Sequence, residues 1–295
     1  MYSYIKSYFI RYDFLEPLDD ILRVAELVGK DDFIKASEIY SQGGDNFIEQ
    51  LVALAKGISQ RKGLNEYKVN AVIVLSLFGE LEKRHADRGI PQEITFSTLE
   101  DAVFKMRECN EVFGVYGIMD ITWYKAILEQ RTFGIGRLQY ELDYFRLDCY
   151  KSDDITLKKG DRVLSVHIPS SKRPFDKSAR SDSYDRAVKF FKQFFPNEFP
   201  GAIPFVSWTW LLNPKNDIIM PTAKNIIDFK NEFEILESAE YKNNDSIAWR
   251  IFGVDRIVNV NDLKEDTSMR RSVKEYIAHG NKLGWGYGIF VKKIK

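Results

Sequence analysis

The chain of 295 residues is poor in the residues that build staples and metal sites. Two cysteines, Cys109 and Cys149, are too few for a disulfide framework or a Cys-rich zinc site, and they fit a reducing cytoplasm. Three histidines, His85, His167 and His279, stand far apart, so no His-built metal motif is present. Neither sign of charge is in excess: 43 Lys and Arg balance 43 Asp and Glu. A protein whose main task is to coat nucleic acid or anionic lipid needs a surplus of cations, so neither is expected as a partner. No purely apolar run is longer than residues 71–75, far short of the roughly 20 residues that cross a bilayer. The first eight residues lack the basic start and apolar stretch of a signal peptide. No G-x-S-x-G elbow occurs, and neither cysteine has the setting of a nucleophile. These absences leave a soluble cytoplasmic protein, with length for two domains at roughly 100–200 residues each.

What is present divides near residue 133. From Pro17 to about Arg131 the apolar residues recur at helical spacing. Leu18, Ile21, Leu22 and Ala25 form one stripe, stopped by Gly29, and Phe47, Leu51, Leu54 and Ala55 form another, stopped near Gly57 or Gly63. Residues 67–88 are apolar at their centre and predict the most buried helix. Pro91 precedes a further helix, for which Ser97 and Glu100 have capping-box spacing, and Asp120 stands before Trp123, Ile127 and Leu128. Half a dozen helices with short loops predict a bundle-like N-terminal domain over residues 1–132.

After Gly134 the period becomes two. Leu138, Tyr140, Leu142 and Tyr144 alternate with Arg137, Gln139, Glu141 and Asp143, a strand with one polar face. Residues 163–168 predict a second strand. Tyr184, Ala187, Val188, Phe191, Phe194 and Phe195 form the clearest helical stripe in the chain, with Ser183 or Ser181 as its cap. Residues 205–212 predict an aromatic strand closed by Asn213-Pro214. Ile226, Phe229 and Phe233 mark a helix, residues 235–241 a strand, Met269 to Ile277 the last helix and residues 286–291 the last strand. The fold class is therefore α+β, a helical N-terminal domain followed by a mixed-sheet α/β domain over residues 133–295.

Arg131-Thr132-Phe133-Gly134-Ile135-Gly136 fits the string R-x-x-G-x-G, with which GNAT acetyltransferases cradle a pyrophosphate. That chemistry requires a strand before the glycines and a helix after them, so that amides and the helix dipole face the phosphates. Here a helical pattern precedes and a strand follows, so the glycines are read as the turn into the strand. An ordered set of larger signals points elsewhere: residues 136–142, Val166-His167-Ile168-Pro169-Ser170, the Ser183–Pro196 helix, Trp210-Leu211-Leu212-Asn213-Pro214 and Asn225-Ile226 with Phe229. In that order they resemble the bacterial acyltransferase family built from a helical N-terminal acyltransferase domain and a GNAT-like C-terminal domain.

The resemblance implies a GNAT-like mixed sheet and an acyl-CoA-dependent transferase. Such an enzyme moves an acyl group from a CoA thioester to an amine or hydroxyl, on a small-molecule or peptide acceptor. Acetyl-CoA or another acyl-CoA is a co-substrate and no cofactor is permanently bound. Residues 163–168 become the central strand, 184–195 the helix whose start faces the pyrophosphate, and 205–212 the strand that splays away. Val166, Ile168, Ser170, Ser171, Lys172, Arg173 and Ser183 then fall near the cofactor. The strand-to-helix loop departs from the pattern, being long and free of glycine.

Each candidate side chain also has a structural reading. Glu141 is a candidate base for the acceptor, or the ion-pair partner of Arg137; Gln139 shares its face as a substrate contact. His167 is a second candidate base, or holds a strand end. Trp208 and Trp210 line an acyl or pantetheine channel, or are core. Tyr287 and Tyr184 are acids for the leaving thiolate, or packing. Lys172 and Arg173 are phosphate ligands, or solvated loop charges. A non-catalytic acyl-CoA- or peptide-binding protein of the same fold is the alternative function, and an interaction protein acting through its helical domain is a third.

Overall fold

A computed structural model describes residues 1–294, which fall into two compact units, Met1–Gly134 and residue 135 onward. The first unit is helical: α1 (Tyr2–Arg11), α2 (Leu18–Val28), α3 (Lys30–Gln42), α4 (Phe47–Lys62), α5 (Glu66–Asp87), α6 (Gln92–Leu99), α7 (Asp101–Phe113) and the short α8 (Lys125–Leu128). Helix α5 is the axis of this unit. Eleven of its 22 residues are buried, including the unbroken run 69–75, so it is apolar all round rather than amphipathic. Helix α1, which has no counterpart in the sequence pattern described above, buries Ile5, Tyr8 and Phe9 at helical spacing. The Tyr8 hydroxyl is satisfied by the Leu99 carbonyl at 2.7 Å. Ser97 does not cap a helix. Pro91 starts α6, Ser97 lies inside it, and α7 follows almost without a break. Asp120 does cap, accepting the Thr122 amide at 2.8 Å.

The R-x-x-G-x-G string forms a β-hairpin. Strand β1 (Thr132–Ile135) ends at Gly136, whose φ of +65° is the left-handed turn conformation that glycine adopts freely. A Cβ on Gly134 would stand 2.5 Å from the Ser97 carbonyl oxygen, so close packing requires that glycine too.

The second unit holds β2 (Leu138–Tyr144), the small hairpin β3 (Cys149–Lys151) and β4 (Thr156–Lys158), and β5 (Arg162–His167). Helix α9 (Lys177–Phe194) and β6 (Ala202–Thr209) follow. Then come α10 (Asn216–Ile219), α11 (Lys224–Lys230), β7 (Glu234–Glu240), α12 (Asp245–Phe252), α13 (Ser268–Ala278) and β8 (Gly284–Lys293). The main sheet runs β1-β2-β5-β6-β8-β7. Its pairs β2–β5, β6–β8 and β7–β8 are antiparallel, and the central pair β5–β6 is parallel. A parallel pair needs a crossover, which α9 supplies.

Alternation along the strands gives the sheet two different faces. On one, Tyr140, Phe205 and Phe290 meet the Tyr184 ring of α9, with Phe205 and Phe290 stacked at 4.9 Å. The other carries Gln139, Glu141, His167, Val206, Trp208 and Tyr287. At one end of this second face Phe145 and Leu157 bury themselves with Val163, Val206, Tyr287 and Ile289.

Candidate active site

The central strands part company. Strands β2 and β5 stay registered as far as Gln139↔His167, and β6 and β8 as far as Thr209↔Gly286. Between β5 and β6 the register holds only Leu164↔Phe205 and Ser165↔Val206, although both strands continue beyond it. Where the ladder stops, the buried Ser207 hydroxyl donates to the Val166 carbonyl at 2.9 Å. One carbonyl that a zipped sheet would pair with an amide is thus satisfied by a side chain. Ile168 follows the end of β5 directly, beside this opening.

At the C-terminal end of β5, on the face not covered by α9, His167 Nε2 lies 3.0 Å from Glu141 Oε2. The two are diagonal neighbours across the β2–β5 ladder, the geometry in which long side chains on one face meet. Both side chains are partly open to solvent. The structure thus joins the two candidate bases. Arg137, by contrast, is not the partner of Glu141. It precedes β2, so strand alternation does not place it in the ladder, and its guanidinium donates to the Pro169 carbonyl at 3.1 Å.

Arg137 is only 8% exposed, and its Nε has no hydrogen-bond partner among the described residues. Burial, together with the nearby Arg173, lowers its pKa to about 10. It borders a cavity of about 530 Å³ between the Gly136 turn and the first turns of α9, with Arg173 and Arg186 also on the wall. Asp176 and Asp182 line it as well, so three cations face two carboxylates there. A buried guanidinium with a bare donor at the edge of such a cavity suits an anion with several oxygens.

Helix α9 differs from the sequence reading at this point. It begins at Lys177, and its cap is Asp176, which accepts the Ala179 amide at 2.9 Å; neither Ser181 nor Ser183 caps it. Ser183 is buried about two turns further in, where its hydroxyl bonds the Tyr140 hydroxyl at 2.7 Å and the Ile135 carbonyl. That removes Ser183 from any phosphate contact. Arg137, Arg173 and Arg186, and not Ser183, line the cavity at this end of α9.

The loop between β5 and α9 is braced from several sides. Ser170 accepts from Arg250 of α12 at 3.3 Å, and the Ser171 hydroxyl accepts the Arg173 amide at 3.0 Å. Lys172 is exposed. Arg180, fully buried, donates to Glu232 at 3.0 and 2.7 Å and to the Phe175 carbonyl at 2.7 Å. Tyr184 donates to the same Glu232 at 2.9 Å, and burial raises its pKa, so it is part of this brace and not an exposed acid.

The tryptophans and Tyr287 also differ from expectation. Trp210 lies in a 3₁₀ turn after β6 and packs against the cluster of Ile219, Ile251 and Val273. Val166 points its side chain into the buried, helix-covered face and offers only its backbone to the gap. Tyr287 is buried beside Phe145, and burial pushes its pKa up to about 12 despite the Arg146 guanidinium 4.0 Å above its ring. Full proton transfer from it to a thiolate, whose conjugate acid has a pKa near 8.5, runs uphill. Arg186, Arg146, Arg250 and Ser207 were not singled out from the sequence. Only Arg186 left a signal there: with Ser178 and Asp182 it repeats at a spacing of four, one face of α9.

Comparison with known proteins gives the family. Residues 132–290 match the GNAT-like C-terminal domain family, and residues 30–129 match the N-acyltransferase N-terminal domain family. The chain belongs to this acyltransferase family. It is an acyltransferase, built as a helical domain followed by the GNAT-like domain. No curated protein matches the sequence. Among solved structures, an acyltransferase in complex with decanoyl-CoA and teicoplanin is similar, with 18% identity over 99% of both chains and a TM-score of 0.66. A mutant acyltransferase in complex with octanoyl-CoA has 17% identity, covers 99% of this chain and 100% of its own, and gives a TM-score of 0.66. At these identities the likeness establishes that the acyltransferase fold is shared from end to end.

Proposed function

We propose that this acyltransferase takes its acyl group from a CoA thioester and delivers it to an amine or hydroxyl of a small-molecule acceptor by direct attack, with residues 133–295 as the catalytic domain. The observation that carries the reading is the Glu141–His167 pair, standing beside the place where β5 and β6 separate. Similar folds bind decanoyl-CoA and octanoyl-CoA, which supports an acyl-CoA donor here.

In this reading the pantetheine arm lies along the opening and pairs with the main chain of Ile168. The CoA phosphates meet Arg137, Arg173 and Arg186 around the cavity beside α9. Glu141 accepts a hydrogen bond from His167 Nε2–H, which fixes the tautomer with Nδ1 as the basic nitrogen. His167 then takes the acceptor proton as the acceptor nitrogen or oxygen attacks the thioester carbon. A backbone N–H at the opening stabilises the oxyanion, and the C–S bond breaks as the intermediate collapses. The imidazolium returns its proton to the departing CoA thiolate, so no separate acid is required.

The test is release of free CoA thiol from acetyl-, octanoyl- and decanoyl-CoA over a panel of amines and alcohols. Turnover with at least one acceptor is expected, falling about 100-fold or more in His167→Ala. Unchanged turnover in that variant would discard the base assignment, and absence of acyl-CoA binding in a calorimetric titration would discard the donor.

A further inference from the structure

We infer that the acceptor carries a ring with an apolar face next to its reacting amine or hydroxyl, and that this ring rests on the indole of Trp208. This rests on the reading above, and it assigns Trp208 to the acceptor instead of to an acyl or pantetheine channel.

Position comes first. The last registered pair between β5 and β6 is Ser165↔Val206, and two residues further on each strand are His167 and Trp208, on the same face of the sheet. An acceptor whose nucleophile reaches His167 therefore has Trp208 as its neighbour across the opening.

Exposure comes second. Trp208 is 62% exposed, whereas the other four tryptophans are at least half-buried. A large indole left in water at the rim of a reaction site is informative in a way that a scattered surface leucine is not.

Third, the ring is held. Trp285 meets it edge-on, with centroids 5.5 Å apart and planes at 87°, and the Arg146 guanidinium lies 5.1 Å from it. Arg146 is itself fixed over Tyr287 at 4.0 Å and to Glu237 at 2.7 Å. A side chain already ordered by its neighbours loses little rotamer freedom on binding, so it serves as a stacking platform. An aromatic ring and the apolar face of a pyranose both satisfy such a platform.

Saturation-transfer NMR and steady-state kinetics on the full chain with CoA thioester present test this. The probes are 2-phenylethylamine, glucosamine and the ringless n-hexylamine, in the wild type, Trp208→Phe and Trp208→Ala. Ring protons of at least one ring probe should receive saturation in the wild type, keep most of it in Trp208→Phe and lose at least fivefold in Trp208→Ala. The ratio of kcat/KM for that probe over hexylamine should fall at least tenfold in Trp208→Ala. The phenyl and pyranose arms show which ring is taken.

Equal binding of ring and ringless probes in the wild type, or ring signals that survive Trp208→Ala, would overturn the inference. So would a change in preferred acyl chain length in that variant, which would return Trp208 to the donor side. Trp208-dependent ring binding without any acylation would leave the inference standing and refute the proposed function. Acylation that depends on His167 and ignores the ring would do the reverse.

Discussion

His85 and His167 show how environment divides one residue type into two roles. His85 is buried in the first unit, with Nδ1 3.0 Å from Thr95 Oγ1 and the Phe133 ring 5.6 Å away, and burial lowers its pKa to about 4. The unfolded chain, with a histidine pKa near 6.5, therefore binds more protons than the folded chain between pH 6.5 and pH 4. Stability is present in full above that window and is lost as pH falls through it. Denaturant unfolding at pH 7.5 and pH 5 should differ by about 2 kcal/mol on this account, and His85→Gln should flatten the difference. His167, partly open beside Glu141, is the base of the proposed chemistry. Glu141→Gln should lower kcat about 10- to 100-fold with KM for acyl-CoA little changed, because the carboxylate acts on the imidazole and not on the donor. Arg137→Ala should do the opposite, raising KM for acyl-CoA at least tenfold. The matching acyl-pantetheine, which has no phosphates, should be indifferent to it. Steady-state kinetics on both donors separates the two roles.

At the scale of elements, the sheet opening depends on few groups. Ser207→Ala orphans the buried Val166 carbonyl and should cost about 1–3 kcal/mol in thermal unfolding, whereas Ser207→Thr retains the hydroxyl. Glu232→Ala leaves the fully buried Arg180 without its carboxylate and should cost about 3–5 kcal/mol, loosening the loop between β5 and α9. The strands that form these features were readable from their period. Leu138 to Asp143 announce β2, and the Tyr184, Ala187 and Phe191 stripe announces α9. The ends were less readable. Asp176 takes the cap of α9 because the helix starts about two turns before its apolar stripe, where serines further in looked equally suitable. Strands β3 and β4, three residues each, are too short to show a period. The pairing of Glu141 with His167, and of Arg146 with Trp208 and Trp285, joins residues distant in sequence. A linear pattern holds no record of such contacts.

Across the whole molecule, family membership and both domain matches span nearly the entire chain, and the polar groups beside the strand opening lie in the GNAT-like part. A ligand that binds only the folded state adds about 2.7 kcal/mol at a hundred times its Kd. Acyl-CoA should therefore raise the melting temperature of the full chain, and in Arg137→Ala the rise should shrink. The most direct test is a crystal structure of the protein with bound acyl-CoA. The account predicts the pantetheine arm between β5 and β6 beyond Ser165 and Val206, its phosphates against Arg137, and the thioester beside His167. Density for the cofactor elsewhere, with β5 and β6 closed against each other past Ser207, would contradict it.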